Sequence, residues 1–229
     1  MPITTCVFDA YGTLFDVAAA ARQCASEPGR EAFAAKWQTV ATDWRLKQLQ
    51  YTWLRALADA HTDFWTVTQN GLDYALEASA LDHDAELRER LLALYWQLQA
   101  YPEVPAMLEA LKTRGFNTAI LSNGSPEMLD GAVKSAGIAA MLDEVISVED
   151  VHVFKPHKSV YDMVTARFNC VPSEVLFVSS NCWDACCAAG NGFFTTWVNR
   201  GHEPMDRLPW QPQKTLQDLT LIPDIASAN

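Results

Sequence analysis

No apolar run in the chain approaches the ~18 residues of a membrane-crossing helix, which argues against a bilayer span. Positive charge is also scarce: 17 Lys and Arg against 28 Asp and Glu leave a net charge of −11. A surface of that sign repels phosphate backbones, so nucleic acid is not an expected partner. A small anionic substrate remains compatible, because a local group of Arg, Lys and backbone N–H donors overrides the global field at short range. The six cysteines, at 6, 24, 170, 182, 186 and 187, make no pair of CxxC units, so a zinc site is not expected. Met1 to Thr5 lack the basic segment of a signal peptide. The expectation is a cytoplasmic protein with reduced thiols. Charged residues are only 20% of the 229, while 49% are apolar, so the chain has the material for a packed core and little tendency to disorder.

What is present alternates between two rhythms. Ile3 to Phe8 is a short β-rich run that stops at Asp9-Ala10-Tyr11-Gly12-Thr13, as a strand followed by a tight loop would. From Asp16 to Leu98 nearly everything reads as helix, including one long stretch over 31–58 with Phe33, Trp37, Val40 and Trp44 at helical spacing. Leu87, Leu91, Leu94, Tyr95 and Leu98 form another stripe. After Pro102, helix and strand alternate. Helical stripes at Val104/Met107/Leu108/Leu111 and Val160/Met163/Val164/Phe168, and helices after Pro126 and from Asp184, separate strands at 117–121, 144–146, 175–178 and 193–198. Four prolines, at 204, 209, 212 and 223, make the tail read as irregular. The pattern predicts an α/β fold: a doubly wound, mostly parallel sheet from residues 1–14 and 99–229, with a helical cap inserted at 15–98.

Ligands of open parallel sheets bind beyond the carboxyl ends of the strands. Three predicted strands end in polar clusters: Asp9, Ser122-Asn123, and Ser179 to Asp184. A fourth cluster, Lys155-Pro156-His157, precedes a helix. If the sheet is right, all four converge on one crevice. Taken singly, each residue has a plain reading: Asp9 as a turn residue, Asp184 as a helix cap, Lys155 and Arg45 as solvated side chains, and Tyr161 as a half-exposed tyrosine. Asp9 can also be a nucleophilic carboxylate that forms a covalent ester.

The ordered set Asp9-Ala10-Tyr11-Gly12-Thr13-Leu14, Ser122-Asn123-Gly124, Lys155-Pro156-His157 and Ser179-Ser180-Asn181-Cys182-Trp183-Asp184 resembles the four signature segments of the haloacid dehalogenase superfamily. It is similar to the L-2-haloacid dehalogenase branch in particular. Trp44 to Tyr51 resembles that branch's cap segment, although Leu46 stands where the branch commonly has Gln after the arginine.

Two differences from the phosphatases of the superfamily bear on the chemistry. Tyr11 occupies the place of the second Asp, which protonates a leaving alkoxide. A departing halide needs no proton. Ser179-Ser180 replace a Gly-Asp pair that helps hold Mg²⁺, so neither metal nor cofactor is expected. Asp9 and Asp184 then nearly balance Lys155 and Arg45, which suits a monoanionic 2-halocarboxylate.

The resemblance implies roles. Asp9 attacks C2, and water then cleaves the ester at the carboxyl carbon of Asp9. Asp184, held by Lys155, Ser179 and Asn181, positions or deprotonates that water. Thr13 supplies a hydroxyl, Tyr161 a hydrogen bond, Ser122 and Asn123 a carboxylate site, and Arg45 charge for the departing halide. Ala10, Tyr11, Leu49, Phe64 and Trp183 surround the substrate's carbon skeleton. Cys182 is a neighbour and not a second nucleophile, and Cys186 and Cys187 are helix core. The implied reaction converts short (S)-2-halo acids to (R)-2-hydroxy acids and halide, in a homodimer joined through cap helices. Its rivals are a phosphatase on the same scaffold and a non-catalytic ligand-binding relative.

Overall fold

The computed structural model of the protein describes residues 2–229. Short runs rich in Val, Ile, Leu and Phe form β1 (Thr5–Phe8), β2 (Asn117–Ser122), β3 (Glu144–Ser147), β4 (Val175–Ser179) and β5 (Phe194–Val198). A further strand, β6 (Lys214–Leu216), completes a six-stranded sheet in the order β3-β2-β1-β4-β5-β6. Every paired neighbour is parallel. Side chains of β1 and β4 are buried throughout, as expected of central strands covered on both faces.

From β1 the chain runs outward to β2 and β3, then returns to the far side of β1 as β4. The strand order therefore reverses at the β1–β4 boundary, where open α/β sheets bind ligands. The connections use α6 (Val104–Thr113), α7 (Pro126–Ser135), α8 (Lys158–Phe168) and α9 (Cys182–Gly190). With this strand order, the right-handed rule for parallel crossovers assigns α6 and α7 to one face and α8 and α9 to the other. The stripe on α6 is buried at every position; on α8, Val160 and Val164 are buried and Met163 and Phe168 are half-buried.

Between β1 and α6 lie α1 (Ala19–Ala25), α2 (Glu31–Ala34), α3 (Trp37–Leu57), α4 (Phe64–Ala78) and α5 (Ala85–Tyr95). Asp63 and Asp84 cap α4 and α5 by accepting from the backbone N–H groups of Thr66 and Leu87. The bare backbone of Gly71 lets α4 lie against α3: a Cβ there would come within 3.2 Å of Gln48 N and Trp44 O. One apolar core runs through sheet and helical block alike. Tyr11 stacks on Tyr95 across the boundary, centroids 5.6 Å apart, and Tyr95 packs tilted against Trp44 at 5.1 Å.

Two expectations are corrected. The stretch 31–58 is two helices, broken at Ala35–Lys36, where Lys36 Nζ donates to Ser79 O at the end of α4. No glycine or proline marks that break; a contact distant in sequence accompanies it. The tail holds β6 and α10 (Ile222–Ala228) in place of wholly irregular chain. Pro223 sits in the first turn of α10, where its missing N–H costs nothing. No helix among the described residues is long and apolar enough to cross a membrane.

Candidate active site

Asp9 follows β1 directly, so its carboxylate stands at the carboxyl edge of the sheet, 6% exposed. Three donors fix it. Thr13 Oγ1 and Asn181 Nδ2 donate to Oδ2 at 2.9 and 3.1 Å, and Lys155 Nζ donates to Oδ1 at 3.1 Å. The tight turn after Asp9 brings Thr13 back to it. Gly12 has φ +91°, and a Cβ there would press on Ser180 Oγ at 3.1 Å. Thr13 Oγ1 also accepts from Ser180 N, which ties the β1 loop to the β4 loop.

Lys155 is 1% exposed and bridges two carboxylates, reaching Asp184 Oδ2 at 2.9 Å as well as Asp9. Its backbone N–H donates to Asn123 Oδ1, so the β2 loop positions the lysine. Tyr161 OH donates to Asp184 Oδ1 at 2.8 Å. Burial pulls the ammonium of Lys155 toward neutrality, but Asp184 and Asp9 outweigh it and its pKa is raised. Burial and then the charge of Asp9 raise Asp184, against the opposing pull of Lys155 and Tyr161. Burial and Asp184 hold the Tyr161 phenol protonated. The network is thus an ammonium shared by two carboxylates, every member with a partner.

Arg45 reaches in from α3. Its Nη2 donates to Tyr11 O at 3.0 Å and Asn181 Oδ1 at 3.3 Å, and its Nη1 to Gln48 Oε1 at 2.9 Å. A chamber lies under it, lined by Asp9, Tyr11, Arg45, Leu49, Phe64, Ser122, Asn123, Lys155, Asn181 and Trp183. The chamber offers about 10 Å³ to a water-sized body, the room of about one water. Arg45, Leu49, Asn181 and Trp183 also border an open cleft of about 880 Å³, which gives the chamber a way out to solvent. Trp183 Nε1 is buried and has no hydrogen-bond partner. An unused indole N–H beside an arginine suits an anion.

The model of the haloacid dehalogenase-like hydrolases matches residues 3–192. The chain belongs to this family. It is 42% identical to (S)-2-haloacid dehalogenase 1 of Pseudomonas sp. (strain CBS-3), over 98% of this chain and 96% of that one. It is 40% identical to (S)-2-haloacid dehalogenase 4A of Burkholderia cepacia, over 88% and 85%. The solved L-2-haloacid dehalogenase of Xanthobacter autotrophicus with chloropropionic acid covalently bound superposes with a TM-score of 0.86, at 35% identity over 97% of this chain and 98% of that one.

Most of the residues suggested by the family's segments meet in one place, and several differ in detail. Ser179 and Asn181 do not hold Asp184; Tyr161 does, with Lys155. Ser179 Oγ instead accepts from Asn181 N, and the Asn181 amide serves Asp9. Tyr161 is fully buried and not half-exposed. Asp184 lies inside the first turn of α9, whose N-cap is Asn181, so the capping reading fails. Ser122 Oγ accepts from Gly124 N, leaving its own proton free at the chamber wall. Ala10 is buried beneath the loop and does not line the chamber. Leu46 is 55% exposed and borders only the outer cleft. Cys182 Sγ accepts from Asp206 N, and burial pushes the neighbouring Cys186 thiol up to about 12, far from nucleophilic readiness. Cys187 is only half-buried, less enclosed than expected.

Gln48 escaped the sequence reading as a site residue. Gln48 is 1% exposed; it accepts from Arg45 and donates to Thr68 Oγ1 and Tyr95 OH at 2.7 and 3.1 Å. The available signal was its place on the face of α3 that also carries Trp44 and Arg45. The donor set does not suit Mg²⁺. An ammonium already sits between the two carboxylates, and the nearby hydroxyls of Ser179 and Ser180 replace carboxylates.

Proposed function

We propose that the protein hydrolyses short (S)-2-haloalkanoic acids to (R)-2-hydroxy acids and halide. The observation that carries this reading is Asp9 itself: an aspartate fixed by three donors in an enclosed chamber that Arg45 also lines, with Tyr11 in place of an acid for a leaving alkoxide. The named (S)-2-haloacid dehalogenases among its relatives support it.

The substrate carboxylate is held by Ser122 Oγ–H and the backbone N–H groups leading into α7. One Asp9 oxygen attacks C2 from the side opposite the halogen. The C–X bond breaks as the C–O bond forms, and the centre inverts. Halide leaves toward Arg45, which exchanges its hold on Tyr11 O and Asn181 Oδ1 for the new anion. The unpartnered Trp183 N–H supplies a second donor. Tyr11, Leu49 and Phe64 enclose the alkyl carbon.

With the halide gone, water completes the cycle. Asp184 accepts a proton from the water as its oxygen joins the Asp9 carboxyl carbon. Its raised pKa makes it a better base than an ordinary aspartate. Lys155 and Thr13 stabilise the negative oxygen on the tetrahedral carbon. Collapse breaks the bond between the Asp9 carboxyl carbon and the substrate oxygen, and the proton held by Asp184 passes to that oxygen. Water's second proton goes to solvent, and the hydroxy acid leaves with Asp9 restored as a carboxylate. Residues 15–98 serve as a cap over the catalytic core of 1–14 and 99–229. A second copy docks through the cap, where Leu54, Leu57 and Tyr74 are exposed. The six unpaired cysteines fit a reducing compartment such as the cytoplasm.

Incubation with (S)- and (R)-2-chloropropionate in EDTA, with chloride and the chirality of the lactate measured, tests the reading. It predicts consumption of the S form alone and formation of (R)-lactate. Phosphate release from p-nitrophenyl phosphate, without chloride release, would contradict it.

A further inference from the structure

The loop between α3 and α4 meets the segment that follows β3 at a second polar group, outside the chamber. His61 comes from that loop; Glu149 lies in the 3-10 turn Val148–Asp150, and His152 follows it. One ligand atom from each of the three lies within 4.8 Å of the other two. His61 Nε2 stands 2.9 Å from Glu149 Oε2. His61 Nδ1 and Glu149 Oε1 are both buried without a hydrogen-bond partner. His152 holds a left-handed backbone, φ +50°, and its ring meets that of His61 edge-on at 5.6 Å. Buried polar atoms without partners are uncommon, and two of them in one three-residue group call for a ligand.

We infer that His61, Glu149 and His152 form a site for one divalent transition-metal ion of the zinc class. Two imidazoles and one carboxylate suit Zn²⁺, Co²⁺ or Ni²⁺ and leave a position for water; Mg²⁺ and Ca²⁺ prefer oxygen alone. Ligands about 2.0–2.2 Å from an ion lie roughly 3–4 Å apart, so small side-chain rotations complete the site. His152 is exposed, which gives the ion an entry path, and the net charge of −11 favours cations near the surface. The sequence-based expectation of no metal rested on cysteine spacing and on the segments around Asp9, and neither includes these residues.

The ion would tie two layers together. His61 belongs to the inserted helical block, whereas Glu149 and His152 belong to the sheet's carboxyl edge. His61 also packs on Phe154, with centroids 4.8 Å apart, and Phe154 is the residue before Lys155. Phe154 in turn lies 6.3 Å from Phe64 of the chamber wall. A chamber with room for about one water must widen to admit a halo acid. A bound ion opposes that widening and slows turnover from outside the chamber. This consequence rests on the proposed dehalogenation; the binding itself does not.

The test uses full-length protein stripped with EDTA and dialysed, at about pH 7.5. Calorimetric titration with ZnCl₂, and the visible absorption of added CoCl₂, are compared between wild type, His61→Gln, Glu149→Gln and His152→Asn. Circular dichroism confirms that each variant is folded; should a histidine variant unfold, Glu149→Gln carries the comparison. Wild type should bind one Zn²⁺, each variant should bind at least about tenfold more weakly, and MgCl₂ should give no binding. The wild-type melting temperature should rise with Zn²⁺ concentration. Chloride release should fall at saturating Zn²⁺ in wild type and not in the variants. No binding up to about 1 mM Zn²⁺, or unchanged affinity in all three variants, would overturn the site. Site-specific binding with an unaltered rate would overturn the coupling to turnover. Binding by a protein that releases no chloride without metal would count against the dehalogenase reading and leave the site standing.

Discussion

Replacing Lys155 with Met removes the cation that bridges two buried carboxylates. The ammonium lies 3.1 Å from Asp9 and 2.9 Å from Asp184, with almost no exposure to solvent. At an effective dielectric constant of about 20, each such attraction amounts to about 5 kcal/mol before desolvation is counted. Removing one member of a buried ion pair costs about 3–5 kcal/mol of stability, because the charge left behind has neither partner nor water. Two facing carboxylates then share a proton. A proton on Asp9 abolishes the nucleophile; a proton on Asp184 abolishes the base. Either outcome stops the cycle, so kcat should fall at least about 1000-fold, equivalent to about 4 kcal/mol of transition-state stabilisation. The double variant Lys155→Met/Asp184→Asn separates stability from catalysis. It removes the repulsion and should recover about 1–2 kcal/mol relative to Lys155→Met while remaining inactive. Urea unfolding and chloride release measure the two quantities. A Lys155→Met protein within tenfold of wild-type turnover, or a double variant less stable than the single one, would refute the reasoning.

Gln48→Leu leaves Arg45 without its 2.9 Å anchor and leaves Thr68 and Tyr95 without the amide donor, so kcat/KM should fall about tenfold and stability by about 1–2 kcal/mol; steady-state kinetics and urea unfolding check both. The base must be ionised, so the rate of ester hydrolysis should rise with pH through the pKa of Asp184. That limb should lie above the ordinary aspartate value of 3.8, and the alkaline side should stay flat until Lys155, raised above 10.5, loses its proton. Tyr161→Phe removes a donor to the ionised Asp184 and should move the acid limb to still higher pH with KM little changed, as a pH–rate profile would show.

The strands were legible because their burial is written as short runs of Val, Ile, Leu and Phe between polar loops. β6 was not, since Lys214-Thr215-Leu216 is a three-residue edge strand with two exposed side chains. Its place depends on the register of β5, which no local pattern encodes. The α2–α3 break was hidden for a similar reason. Asp9, Lys155 and Asp184 are separated by 146 and 29 residues, yet Asp9 and Asp184 both fall in polar clusters after strands, which the strand-end rule brings to one crevice; Lys155, ahead of a helix, joined them as the fourth cluster of the set. The rule supplies the neighbourhood and not the pairing. The exchange of Tyr161 for Ser179 and Asn181 as partners of Asp184 depends on the pitch of α8 against β4. Gln48 was invisible because a glutamine on a long helix reads as solvated until the neighbouring helix is packed on it.

The central claim is that an Asp9 oxygen, and not water, displaces the halogen. A single turnover in H₂¹⁸O with enzyme in excess over (S)-2-chloropropionate, followed by proteolysis and mass spectrometry, tests it directly. The account predicts one ¹⁸O in the peptide that contains Asp9 and none in the first lactate formed. Label in the lactate, with an unlabelled Asp9 peptide, would contradict it.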